Sequence, residues 1–313
     1  MPLTAAVWDL GSSSFHVLVC QVGADGSLRP VSRRRSLLNL GAAVGVDGTI
    51  PPDRVRAALS AARRLRRQLD EHPADVTVAL ATAALRDAVN GAEVVARLQR
   101  VIGSPVRILD GPEEARLCFV GQRAGVWSPA GPVLGLDVGG GSLELAVGDA
   151  RAVTFAVSVP VGATRLRAEL AVGDPLRPGD VVSVRSRVAE ALAPVRAAGA
   201  VGGLTDRVLA SGGTVRALAR LATARARRRP ELSSEVNQVE LPSGQVRELA
   251  ERLAGLTLAQ RLALPGMPGR RAPVVAVGAA ILAAAAAELG VDRFVVSEWG
   301  LREGALLDAL ARG

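Results

Sequence analysis

The sequence predicts an α/β protein built from two related domains, and three observations carry that expectation. A chain of 313 residues is long enough for two domains that each bury a core. A hydrophobic share of 49% beside 22% charged residues is globular composition. Most telling, one pattern occurs twice. Val7-Trp8-Asp9-Leu10-Gly11-Ser12-Ser13-Ser14-Phe15-His16-Val17-Leu18-Val19 aligns without a gap to Gly135-Leu136-Asp137-Val138-Gly139-Gly140-Gly141-Ser142-Leu143-Glu144-Leu145-Ala146-Val147. Asp, Gly and Ser coincide, and strand-forming residues flank both turns, as expected of domains made on one plan.

The elements follow in order. Residues 5–9 and 15–22 alternate and are rich in β-formers, so they read as antiparallel strands around a Gly/Ser turn. After more strand-like sequence, Val55, Leu59, Ala62, Leu65 and Leu69 recur at helical spacing and predict a helix over 53–71, with the arginines at 63, 64, 66 and 67 mostly on its solvated face. A strand is expected at 76–81, a helix at 91–101, a strand at 106–109 and a helix opening at Pro112. The Gly/Pro-rich stretch 125–132 is the natural domain boundary, dividing the chain into 1–125 and 126–313, with the C-terminal helix packing back on the first domain. Beyond it, Leu209-Ala210 leads into Ser211-Gly212-Gly213-Thr214 and a helix through Ala222. The basic run 225–229 reads as an exposed loop, and a strand at 293–296 and a helix near Glu303 close the chain. Residues 272–287 lack polar side chains but fall short of the roughly 18 apolar residues of a membrane span, so a buried helix is expected.

The net charge of +8 is carried by Arg alone, with no Lys in the chain, and favours anionic partners. The absence of Lys excludes a Walker-type phosphate loop, and no G-x-S-x-G elbow is present. Cys20 and Cys118 lie far apart and only His16 and His72 are available, which argues against a zinc site and for two buried, reduced thiols in a cytoplasmic protein. The N-terminus shows no basic region followed by an apolar core, so no signal peptide is expected.

The chemistry-bearing residues gather at turns. A Gly/Ser turn leaves backbone N–H groups to converge on an anion, and an Asp two residues before the Gly can hold a hydrated divalent cation. One such turn suits an ordinary hairpin equally well; two, at 11–14 and 139–142 behind Asp9 and Asp137, favour phosphate binding. Residues 211–214 run from a strand into a helix, whose N-terminus attracts anions, although Thr214 also suits a plain N-cap. In Gly111-Pro112-Glu113-Glu114-Ala115-Arg116 the acids suit any helix start, or one Glu serves as a general base for water. Arg86, just past a strand end, can clamp a phosphate, with Asp87 pairing to it or capping a helix.

Taken together, these segments resemble the exopolyphosphatase/guanosine pentaphosphate phosphohydrolase (Ppx/GppA) family in its short form. The first turn resembles the family's first phosphate motif, Asp137 to Leu145 its second, Ala81 to Asn90 its Ala-Thr…Arg-Asp-Ala…Asn segment and Gly111 to Arg116 its Gly-x-Glu-Glu-Ala-Arg helix. Residues 158–166, 211–218 and Gly300-Leu301-Arg302-Glu303-Gly304 also fit, so the resemblance runs in order along nearly the whole chain. It implies two related actin-like domains, of the sugar kinase, chaperone ATPase and actin superfamily, with a cleft between them. It further implies Mg²⁺-dependent release of terminal phosphate from polyphosphate or guanosine pentaphosphate, and a homodimer. Carried over by position, Glu114 is the base. Asp9 stands at the first metal position, and Asp137 and Glu144 hold metal or position water. Gly11, Ser12, Ser13, Ser14, Arg86, Gly139, Gly140, Gly141, Ser142, Ser211, Gly212, Gly213 and Thr214 contact phosphate. Departures fall at His16, where the family commonly has Arg or Lys, at Ser13 in place of Asn and at Ala83 in place of a frequent Ser; they bear on substrate choice. A non-catalytic sensor of polyphosphate or guanosine tetra- and pentaphosphate is the alternative. A specific nucleic-acid binder is disfavoured, because three Trp, four Phe and no Tyr leave few stacking platforms.

Overall fold

The computed structural model describes residues 3–44, 47–226 and 236–312. The chain divides into two compact units, one of residues 1–121 and 301–313, the other of residues 122–300.

In the first unit, β1 (Leu3–Leu10), β2 (Ser14–Val22) and β3 (Leu28–Leu37) form an antiparallel meander. A 3-10 turn (Leu40–Ala42) and α1 (Pro52–Glu71) lead to β4 (Val76–Ala81), which pairs parallel to β1. The short α2 (Ala83–Asp87) and α3 (Gly91–Ile102) precede β5 (Val106–Ile108), parallel to β4, and α4 (Gly111–Gly125) follows. The sheet order is β3-β2-β1-β4-β5. Alternation decides which side of the sheet is covered: Ala6, Trp8, Leu10, Phe15, Val17 and Val19 point to one face and pack with Val55, Leu59 and Leu65 of α1 and Val94, Leu98 and Ile102 of α3. Truncating a fully buried leucine such as Leu98 costs about 2–5 kcal/mol. The last helix of the chain (Leu301–Arg312) packs on β1 and β4.

The second unit opens with β6 (Val133–Val138), β7 (Leu143–Gly148) and β8 (Val153–Val159), again an antiparallel meander. It continues through α5 (Ala163–Glu169), α6 (Pro178–Ala197), β9 (Val208–Ser211) and α7 (Gly213–Ala226). Then come β10 (Glu240–Pro242), α8 (Ser243–Ala254), α9 (Leu258–Leu262), α10 (Val275–Leu289) and β11 (Arg293–Val296), so that the final helix of the chain is α11. β9 pairs parallel to β6 and β11 parallel to β9, giving the order β10-β11-β9-β6-β7-β8.

Reading β8-β7-β6-β9-β11 against β3-β2-β1-β4-β5 shows one plan used twice, with the same strand directions and β10 added at one edge. The repeat seen in the sequence is therefore the first hairpin of each sheet. The alanine-rich segment is α10, buried along almost its whole length and packed against α6, α7 and α8. Among the described residues, no helix is long and apolar enough to cross a membrane. Of the basic run 225–229, the first two residues end α7 and the rest lie outside the described residues.

Candidate active site

The two hairpin turns are closed alike. Gly11 N donates to Ser14 O over 3.2 Å, and Gly139 N donates to Ser142 O over 3.0 Å. In both, the Asp is paired in register with the residue seven positions on: Asp9 with His16, Asp137 with Glu144.

The carbonyls of each turn are tied down from outside it. Ser12 O accepts from Gly41 N, and Ser13 O from Leu38 N and Asn39 N. In the second turn, Gly139 O accepts from Ala163 N, and Gly140 O from Thr164 N and Arg165 N. A trans peptide sets its N–H opposite its carbonyl, so anchoring the carbonyls on one side directs the N–H edges to the other. Side chains reinforce this: Ser12 Oγ accepts from Ala84 N at 3.0 Å, locking the first turn to α2. Gly162 lies so close to the second turn that a Cβ there would sit 2.4 Å from the Gly140 carbonyl.

Arg86 and Glu114 form the second feature of the first unit. Asp110 opens α4 by accepting from Glu113 N at 2.8 Å, which fixes the first turn of the helix. Its two glutamates then diverge. Glu113 is taken by Arg116 at 2.7 Å and by Arg107 at 3.3 Å. Glu114 is buried, only 6% exposed, and receives Arg86 Nη1 on Oε2 at 2.7 Å. Arg86 also donates to the Leu109 carbonyl and, through Nε, to Asp87 at 3.1 Å. Burial works against its charge, but Glu114 and then Asp87 outweigh burial and hold the guanidinium above its ordinary value. Arg86 is thus an anchored cation with a carboxylate already upon it.

In the second unit, Ser211 at the end of β9 donates through Oγ to Asp137 Oδ2. Gln122 Nε2 in turn donates to Ser211 Oγ at 2.8 Å and to Leu136 O at 2.7 Å. Glu144 accepts from Ser158 Oγ at 2.8 Å. Gly212 has φ of +99°, and a Cβ there would meet Val138 O at 2.5 Å, so only glycine fits the step from β9 into α7. Thr214, readable in the sequence as an N-cap, lies one residue inside α7, buried against Gly278 of α10. Three contributors escaped sequence reading. Gln122 is a buried amide on the α4 stripe that includes Cys118, and Gly162 carries no motif. Arg271, whose guanidinium lies over Gly213 and adds positive charge beside the 211–214 turn, had only the pair Arg270-Arg271 before the apolar helix to signal it.

Asp137 and Glu144, directly opposed on β6 and β7, offer only carboxylate oxygens, the donor chemistry of a hard divalent cation. Among the described residues, no group of three or more His, Cys, Asp or Glu is arranged to hold a metal ion, so the two opposed carboxylates are the donor set. That donor set fits Mg²⁺, which is held by one or two carboxylates and completed by water and phosphate.

Known proteins share this architecture. The solved exopolyphosphatase from Cytophaga hutchinsonii matches with a TM-score of 0.86 at 27% identity, covering 98% of each chain. A Ppx/GppA family member from Aquifex aeolicus matches with a TM-score of 0.80 at 26% identity, over 100% of this chain and 99% of that one. Nucleoside triphosphate hydrolases from Neospora caninum match at 13% identity with a TM-score of 0.55, a likeness of fold alone, consistent with an actin-like α/β fold. In sequence, Exopolyphosphatase 1 of Mycobacterium tuberculosis is 30% identical over 304 residues, covering 97% of this chain and 87% of that protein. Exopolyphosphatase 2 of the same organism is 30% identical over 326 residues, covering 98% and 99%. The model of the Ppx/GppA phosphatase family matches residues 18–313. On that match the chain belongs to the Ppx/GppA phosphatase family.

Proposed function

We propose that this protein is a phosphoanhydride hydrolase that removes the terminal phosphate of inorganic polyphosphate, with guanosine pentaphosphate as a second substrate of the same chemistry. The observation that carries the proposal is the buried Glu114 held by Arg86 at 2.7 Å: one group to receive a proton beside one to receive a phosphate. Relatives bearing the name exopolyphosphatase support the choice of substrate.

In this reading, the N–H edges of the 11–14 and 139–142 turns take phosphate oxygens, and the start of α7 at 211–214 adds a further anion contact. Glu114 aligns a water and accepts its proton as the water oxygen bonds to the terminal phosphorus. The bridging P–O bond breaks, and its electron pair leaves with the shortened chain. Arg86 neutralises charge on the transferred phosphoryl group, whose reaction depends on positioning and electrostatics more than on covalent help. A divalent cation at Asp137 and Glu144, with Asp9 as the equivalent group of the first unit, would offset phosphate charge. Ser211, directed by Gln122, keeps Asp137 in place for that task.

Phosphate release from long-chain polyphosphate and from guanosine pentaphosphate, assayed in parallel with Mg²⁺, tests this. Release that disappears in Glu114→Gln is the expected result. Binding of both chains without any turnover would replace the hydrolase with a sensor.

A further inference from the structure

Ser14 begins β2 at the edge of the first Gly/Ser turn, and its Oγ lies 2.8 Å from Nε2 of His16, two residues along the same face of the strand. The other ring nitrogen, Nδ1, lies 3.1 Å from Nη1 of Arg302 on α11. These two contacts together determine where the protons are. A guanidinium only donates, so Nδ1 must present its lone pair to Arg302. A neutral imidazole with Nδ1 as acceptor carries its one proton on Nε2. That N–H points at Ser14 Oγ, which therefore accepts, and the hydroxyl proton of Ser14 is directed elsewhere.

We propose that His16 is a positioning residue: held by Arg302 in the Nε2–H tautomer, it converts the Ser14 hydroxyl into a dedicated hydrogen-bond donor to a phosphate oxygen in the first turn. The proposal rests on the phosphate-binding reading of that turn. An unconstrained serine can offer either a proton or a lone pair, and a lone pair aimed at a phosphate anion is repulsive. Fixing the acceptor side of Ser14 removes that second arrangement before the ligand arrives.

The ring's register partners are Asp9 on β1 and Arg35 on β3, and Arg302 reaches it from α11, which also carries the buried Glu303 beside Arg33. A charged imidazolium would lose the acceptor that Arg302 uses.

The direct test is the ring nitrogen spectrum of the ¹⁵N-labelled protein by long-range ¹H–¹⁵N correlation at pH 7.5. Only His16 and the exposed His72 contribute, and His72→Ala assigns them. A protonated Nε2 with a bare Nδ1 at His16 is the expected pattern; an Nδ1–H tautomer or an imidazolium overturns the proposal whatever the enzyme's activity. The functional arm uses a double-mutant cycle. Ser14→Ala and His16→Phe should each raise KM for tripolyphosphate about tenfold, with a much smaller change in kcat, and the double variant should be no worse than either alone. His16→Gln, which restores an N–H at similar reach, should recover most of the loss. Additive effects, or no rescue by Gln, would sink the coupling. Should the chain bind tripolyphosphate without hydrolysing it, the same cycle read as Kd by calorimetry keeps the proposal testable after the hydrolase reading has failed.

Discussion

Arg86 donates to Glu114 across 2.7 Å, so the carboxylate suited to take a proton from water rests against the guanidinium suited to take a phosphate. Under the proposed function, an incoming phosphate would compete for that guanidinium, and the pairing of Arg86 with Glu114 would then depend on whether substrate is bound.

The two partners should fail differently. Glu114→Gln removes proton acceptance but keeps an amide acceptor for Arg86, so kcat should fall by about 10²–10⁴ with melting temperature nearly unchanged. Arg86→Ala leaves Glu114 buried without its cation, so it should raise KM, lower kcat and cost about 1–3 kcal/mol in denaturant titration. Steady-state kinetics beside urea melts separate the two; equal stability losses would show that the pair is structural only.

The second turn is supported by close packing at Gly162. In Gly162→Ala the new methyl would require the Gly140 carbonyl to move, disturbing the anchored peptides of the turn. Stability should drop by about 2 kcal/mol or more, and KM should rise more than kcat falls. A variant with wild-type KM would mean that the turn does not hold substrate.

Asp174 provides a pH-dependent contribution away from the turns. It accepts from Leu258 N at 3.0 Å and from the fully buried Arg261 at 2.5 Å, while Arg261 also caps the Ala272 and Leu256 carbonyls. Burial pushes the Asp174 carboxyl up, but those partners outweigh it and hold the group below its ordinary value. A depressed folded value means stabilisation that is present above the unfolded value of about 3.9 and lost as pH falls through the folded one. Asp174→Asn should therefore cost about 1–2 kcal/mol at pH 7, with the gap from wild type closing as the pH is lowered below 4. A gap independent of pH would assign the loss to packing.

Neither Cys20 nor Cys118 is joined in a disulfide, and both are buried. Burial first, and the nearby Glu303 second, push the Cys20 thiol up to about 11, leaving on the order of 0.1% thiolate at pH 8. A chromogenic disulfide reagent should react with neither cysteine in the native protein and with both in denaturant. Rapid native labelling of Cys20 would refute that environment.

Regular elements were legible where a single periodicity dominated. The strands Val76–Ala81 and Arg293–Val296 lie where short apolar runs were expected to form them, and the helix Pro52–Glu71 lies where helical spacing put it. The duplicated hairpin was legible because a Gly/Ser turn and its Asp are local in sequence. What stayed hidden is long-range. Arg86 meets Glu114 across 28 positions and Gln122 meets Ser211 across 89, contacts created by sheet order. Likewise, helix-start spacing alone did not separate Glu113 from Glu114, which the family resemblance chose by position; in the structure Arg107 and Arg116 hold the first, and the second is buried against Arg86.

The register that opposes Asp9 with His16 opposes Asp137 with Glu144 at the matching place in the repeated plan. Once a hairpin exists in two copies, neither copy must serve every purpose. One copy now sets an imidazole opposite its acid and the other a second acid, so a single backbone plan presents two different chemistries at one position. A reciprocal swap of residues 16 and 144 would ask how far each copy depends on its own partner.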